Sequence, residues 1–259
     1  MSADPSAATM TFWEHLDELR SRIIKMSLAY AVGAGIAWSY REKLLVWLTV
    51  PFVRAWNVGA LGSKPALHFP APASLFVAYV KLALLGGLVI ALPILLYQLW
   101  AFISPGLYSR EKRYAVPFVV SSCLLFAGGG YFGWKLAFPV AFRFLLSFSG
   151  PLGVQGFEVK PTVMIGDYID FVTQALIGFG LAFELPVLVF FLSAAGLITY
   201  RHMLRFARYF IVIAFTIGAI FTPPDVMSQI FLSGALCVLY GISIGVAWLF
   251  GKRPGRVEP

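Results

Sequence analysis

The sequence predicts an all-α membrane protein of six transmembrane helices, with both ends on the inner side. Three observations carry this. Hydrophobic types make up 59% of the 259 residues and charged types only 12%, against roughly 45–50% and about 25% in soluble domains. The apolar residues gather into six runs long enough to approach a bilayer's width. The basic residues fall mainly between alternate runs.

A helix needs about 20 apolar residues to cross the hydrocarbon core. The first run begins near Ile23 and passes Tyr40, and the second covers Leu75 to Phe102. The third fills Tyr114 to Trp134, between Arg113 and Lys135, and the fourth runs from Tyr168 to Leu197. The fifth spans Tyr209 to Thr222; the sixth follows Asp225 and ends near Gly251. With the N-terminus inside, the inner segments hold Arg20, Arg22, Lys25; Arg110, Lys112, Arg113; Arg201, Arg205, Arg208; and Lys252, Arg253, Arg256. That is twelve of the twenty Lys and Arg, so the positive-inside bias sets N-in and C-in. The whole chain, 1–259, reads as one integral membrane domain: an interfacial helix over 1–22, a six-helix region over 23–250, and an inner tail over 251–259.

A net charge of +8 in so apolar a chain belongs to span flanks facing anionic lipid, and no nucleic-acid partner is expected. Cys123 and Cys237 lie inside apolar runs, which argues against a disulfide framework or a zinc site. Residues 1–22 are polar and partly acidic, unlike a cleavable signal peptide. No His-Glu-x-x-His, Walker A or Gly-x-Ser-x-Gly pattern occurs, and His15, His68 and His202 are isolated. Neither enzyme chemistry nor a metal or cofactor is expected.

The fifth run is short: 14 residues separate Arg208 from Pro223, about 21 Å of helix against a core of about 30 Å. Such a span thins the bilayer or lets its flanks snorkel. Pro223-Pro224 should force a turn there. Asp225 beside it is either a cap for the sixth helix or a functional acid. The outer loops 41–74 and 139–167 are rich in Pro and Gly and read as structured caps or short amphipathic pieces.

Thr11 with Glu14 fits a capping box. Phe12, Leu16, Leu19 and Ile23 share one helical face, and Glu14, Glu18 and Arg22 another. A helix along the inner surface that then turns into the bilayer is expected, with ordinary i,i+4 ion pairs as the plain alternative to a binding role. In the first inner loop Glu111 stands among Arg110, Lys112 and Arg113. Glu18 and Glu111 are two inner-surface carboxylates able to accept guanidinium groups bidentately. Glu184 lies 14 positions after Asp170 and 17 before Arg201, near mid-membrane. Ionisable groups there cost about 2.5–3.5 kcal/mol on insertion scales, so Glu184 should be protonated or paired, and is either a packing residue or a partner contact.

These motifs resemble the TatC family along nearly the whole chain. The residues are His15-Leu16-x-Glu18-Leu19-Arg20-x-Arg22; Pro51; Tyr97-Gln98-x-Trp100-Ala101-Phe102-Ile103-x-Pro105-Gly106-Leu107 followed by Glu111; Phe183-Glu184-x-Pro186; and Thr222-Pro223-Pro224-Asp225-x-x-Ser228-Gln229. The resemblance implies a receptor in a proton-motive-force-driven translocase of the bacterial inner membrane that exports folded proteins. It implies signal-peptide binding by Glu18, Glu111, Arg20, Phe102 and Pro105, and single-span partners like TatA and TatB meeting Glu184. It further implies structural turns at Pro51, Pro223, Pro224 and Asp225, and admits more than one copy within a receptor complex. The main rival is a six-span solute transporter with Glu184 as its proton carrier. That class often shows inverted repeats and broken helices, and no repeat is visible here.

Overall fold

The structure, a computed structural model, describes residues 12–59, 64–103, 115–151, 158–194, 196–222 and 225–251. In chain order these form α1 (Phe12–Ser39), α2 (Arg41–Val58), β1 (Leu67–His68), α3 (Pro72–Ile103) and α4 (Ala115–Phe132). A π-helical turn (Gly133–Ala137) leads into α5 (Phe138–Leu146), β2 (Gly150–Pro151), β3 (Glu158–Val159) and β4 (Val163–Met164). Then follow α6 (Ile165–Phe183), α7 (Leu185–Ala194), α8 (Tyr200–Phe221) and α9 (Val226–Phe250). Five stretches are long and apolar enough to cross a bilayer: Pro72–Phe102, Val116–Leu146, Ile165–Ala194, Tyr200–Phe221 and Val226–Phe250. α1 makes the sixth by length. Its 28 residues rise about 42 Å, but Lys25 and interspersed Gly, Ser and Tyr dilute its apolar character.

Four expectations about the spans change. No turn separates an interfacial helix from the first span, because α1 runs unbroken from Phe12 to Ser39. Residues 20–32 hold neither Gly nor Pro to break it. The third span does not stop at Trp134 but continues through the π-turn into α5. The fourth is two helices meeting at Glu184, since Pro186 has no N–H for the Ala182 carbonyl. The fifth helix starts at Tyr200, so Arg201, Arg205 and Arg208 ride on its first turns. Its 22 residues rise about 33 Å, although the apolar part remains short. Thr11 of the proposed capping box, like Pro223-Pro224, lies outside the described residues.

Helices in lipid gain nothing from burying oil against oil, so close backbone approach has to hold them. The α1–α3 seam does this with glycine. A Cβ at Gly33 would meet the Gly87 carbonyl oxygen at 2.7 Å, and one at Gly87 would meet Ala34 backbone at 2.6 Å. A Cβ at Gly129 of α4 would likewise fall 2.4 Å from the Phe179 carbonyl oxygen of α6. α8 buries only Met203, Phe210, Ala214 and Gly218, a single stripe against α9. Ser233 and Gln229 of α9 donate to the Ala214 and Phe215 carbonyls. Outward-facing Ile24, Leu28, Val32 and Ile36 on α1 are exposed, and their four-residue spacing makes one lipid-facing stripe.

Pro51 is not a turn. It lies inside α2, buried beside Leu48, Phe52 and Ala55. Its missing N–H leaves the Trp47 carbonyl without a helical donor. Trp134 supplies one, its indole Nε1–H lying 3.1 Å from Trp47 O, with the two indoles stacked at 4.8 Å. One residue on, the buried Tyr168 hydroxyl donates to the Leu48 carbonyl at 2.7 Å. The outer loops thus carry ordered structure. β1 pairs in parallel with β4, Leu67 opposite Val163, and β2 pairs antiparallel with β3.

Candidate functional site: an inner helix junction and a mid-membrane carboxylate

The N-terminal turns of α1 lie against the C-terminal end of α3, and the i,i+4 spacing of Glu18 and Arg22 shapes what they present. Arg22 donates to one oxygen of Glu18, Oε1, from Nε at 3.0 Å and also from its terminal nitrogen. Its other terminal nitrogen donates to Gln98 Oε1 on α3 at 3.2 Å. The guanidinium therefore staples α1 to α3 and occupies only one of the two carboxylate oxygens. The second oxygen, Glu18 Oε2, is buried and has no hydrogen-bond partner among the described residues. His15 Nδ1 stands 3.9 Å away, too far for a hydrogen bond. The His15 ring lies flat on Phe102 at 4.5 Å, forming an aromatic shelf beside that oxygen. Arg20 points outward and is exposed. Glu111 and Pro105 lie outside the described residues.

Glu184 occupies the α6–α7 joint and is half-buried. The Ser122 hydroxyl on α4 faces it. The facing pair does not reach hydrogen-bond geometry, because neither Ser122 Oγ nor Glu184 Oε1 has a partner among the described residues. A carboxyl group with an unused oxygen at a helix break is poised for a donor from elsewhere. Asp225 resolves to a cap: its Oδ1 accepts from the Ser228 N–H at 2.7 Å at the head of α9. Thr199 caps α8 in the same way, accepting from the His202 N–H at 3.4 Å. Gly196, with φ of +79°, closes α7, and the Leu197 N–H returns to the Leu192 carbonyl at 2.9 Å.

A family model described as TatC, Sec-independent protein translocase protein, matches residues 14–234. The chain belongs to the TatC family. The TatC protein of Koribacter versatilis is 40% identical over 248 residues, which is 95% of this chain and 88% of that one. The TatC of Aquifex aeolicus is 36% identical over 249 residues, 96% and 99% of the two chains. A crystal structure of the twin arginine translocase receptor TatC superposes with a TM-score of 0.77 at 38% identity, covering 90% of this chain and 98% of that one. This TatC-family chain is accordingly a polytopic helical component of the Tat translocase in the bacterial inner membrane. Its role is in protein transport, and the comparisons give the solute-transporter alternative no support.

Some features were out of reach of sequence reasoning. Lys81 on α3 and Asp170 on α6 form an ion pair at 2.5 Å, both at the outer third of their spans. Lys81 lies among the eight bases outside the inner groups, and in the sequence Asp170 serves only to place Glu184 in depth. Their opposite charges near the outer ends of two apolar runs were the available signal. Gln98 and His15 stood inside recognised motifs, but their contacts with α1 and Phe102 depend on tertiary packing.

Proposed function

We propose that this chain is the signal-peptide receptor of its translocase and binds the paired arginines of folded cargo at the inner α1–α3 junction. The observation that carries this is Glu18: one oxygen is held by Arg22, and the other is buried without a donor. A guanidinium has the donors and the planar shape to fill that vacancy. It would lie beside the His15–Phe102 shelf, where stacking adds to the ion pair. Glu111 supplies the second carboxylate and takes the second arginine, with Arg20 and Pro105 on the same motif surface. The chain acts here by binding and not by catalysis. The test is direct binding of a twin-arginine peptide and its twin-lysine counterpart to the purified full chain. Twin-arginine binding should be the tighter, and should fail in the Glu18→Lys, Glu111→Lys double variant. Wild-type affinity in that variant would sink the proposal.

Glu184 is proposed as the contact for a transmembrane helix of single-span partners like TatA and TatB. Its unused Oε1 supports this. Hydrogen bonds between membrane helices average about 0.6 kcal/mol, with a maximum near 1.7. Glu184 therefore selects a docking register and does not by itself hold the complex.

A further inference from the structure

An apolar hollow of about 560 Å³ is bounded by residues of α1, α2, α3, α4 and α6, within the ~300–1,000 Å³ usual for small-ligand sites. Val89 and Ile90 on its wall are 49% and 46% exposed, so it opens sideways toward lipid. Along α4 the lining runs from Tyr131 near the outer end down to Cys123, about 12 Å at 1.5 Å per residue. The lining on α3, from Leu82 to Pro93, covers about 17 Å, well short of the roughly 30 Å a crossing helix occupies, so the hollow suits a hydrocarbon chain better than a helix.

Its outer mouth is charged. Tyr40 and Tyr131 line it from two sides. The Lys43 ammonium sits 5.6 Å from the Tyr40 ring centre, and the Lys135 ammonium 5.3 Å from that of Tyr131. Neither lysine pairs with a carboxylate among the described residues. The neighbouring Arg41, by contrast, has Glu42 at 3.8 Å. Two uncompensated cations on aromatic rings, above a hydrocarbon slot, match the boundary where a lipid phosphate meets its acyl chain.

We propose that this hollow holds an acyl chain of one anionic phospholipid from the outer leaflet, with Lys43 and Lys135 on its headgroup. The lipid then fills space between α1 and α4 that protein leaves empty.

The test is native mass spectrometry of the full chain released from vesicles of mixed phosphatidylglycerol and phosphatidylcholine. The wild type should retain one phosphatidylglycerol in preference to phosphatidylcholine. Lys43→Gln and Lys135→Gln should each cut that preference about fivefold. Gly130 lines the hollow and a Cβ there meets only the Leu176 Cδ2, at 3.9 Å, so Gly130→Leu should project into the slot, obstruct it and sharply cut retention of either lipid. Equal retention of both lipids by the wild type would overturn the proposal, as would an undiminished preference in the double lysine variant. A photo-crosslinker at Val89, in native membranes, should give lipid adducts. A polypeptide adduct there would show that a signal peptide or partner helix holds the site, and would equally overturn it.

Discussion

Arg22 grips Glu18 through a single carboxylate oxygen and leaves its twin, buried, with no donor. The resting junction is therefore charge-balanced but leaves half of the carboxylate's acceptor capacity unused, preserving one strong acceptor. Glu18→Ala should weaken twin-arginine peptide binding by about two- to fivefold, as for a partly exposed pair worth up to ~1 kcal/mol. Glu18→Lys should weaken it further. Fluorescence anisotropy with labelled peptide measures both. Arg22 would still reach Gln98 in the alanine variant, so a thermal melt should move little.

Glu184 separates two mechanisms. A protonated carboxyl both donates and accepts, and so does an amide. Glu184→Gln should keep most export and most partner crosslinking. Glu184→Ala should lose crosslinking while peptide binding at the inner junction stays intact. A Gln variant that exports nothing yet crosslinks normally would rule out the contact role.

The Trp134–Trp47 bond makes a prediction through Pro51. Trp134→Phe removes the donor and should destabilise the purified protein by about 0.5–1.5 kcal/mol. In a Pro51→Ala background the restored backbone N–H can serve the Trp47 carbonyl, so the same substitution should cost less. A double-mutant cycle on unfolding in mild detergent reads the coupling. Additive costs would mean that the indole matters only through stacking.

At the α1–α3 seam there is no room for even one methyl group. Gly87→Ala should force the helices apart, at a cost of about 1–3 kcal/mol. Because the same two helices form the inner junction, peptide affinity should fall alongside stability. Unchanged melting in that variant would contradict the 2.6 Å approach to Ala34.

Around α8 the bilayer should be thin. Spin labels at Val212 and Ile220, which are 66% and 60% exposed, would report depth. Both should lie shallower than in an undeformed core of about 30 Å. Depths matching that core, with Arg208 and Thr222 both in water, would refute the idea.

What the sequence made legible follows from what sets each feature. Membrane crossing depends on composition over about 20 residues, so the apolar runs were recognisable. Their ends were less so. Lys135 and Arg208 look like boundaries, but a helix continues past a charge that can snorkel, as α5 and the start of α8 do. Pro51 reads as a turn when taken alone; its tolerance inside α2 depends on Trp134, 83 positions away in the chain. At the junction, the Glu18–Arg22 spacing announces itself, whereas Gln98 and Phe102 join it only through the packing of α3 on α1.

The β1–β4 ladder bears on how the chain is built into the membrane. Leu67 and His68 reach the outer side once the first span is inserted, but their partners, Val163 and Met164, arrive only after the third has crossed. Until then β1 has an open edge and a long closure still to make, and contacts so distant in sequence form late. The outer cap is thus a closing step of biogenesis. A chain arrested before residue 163 would hold its early helices without the clasp that joins its two outer loops.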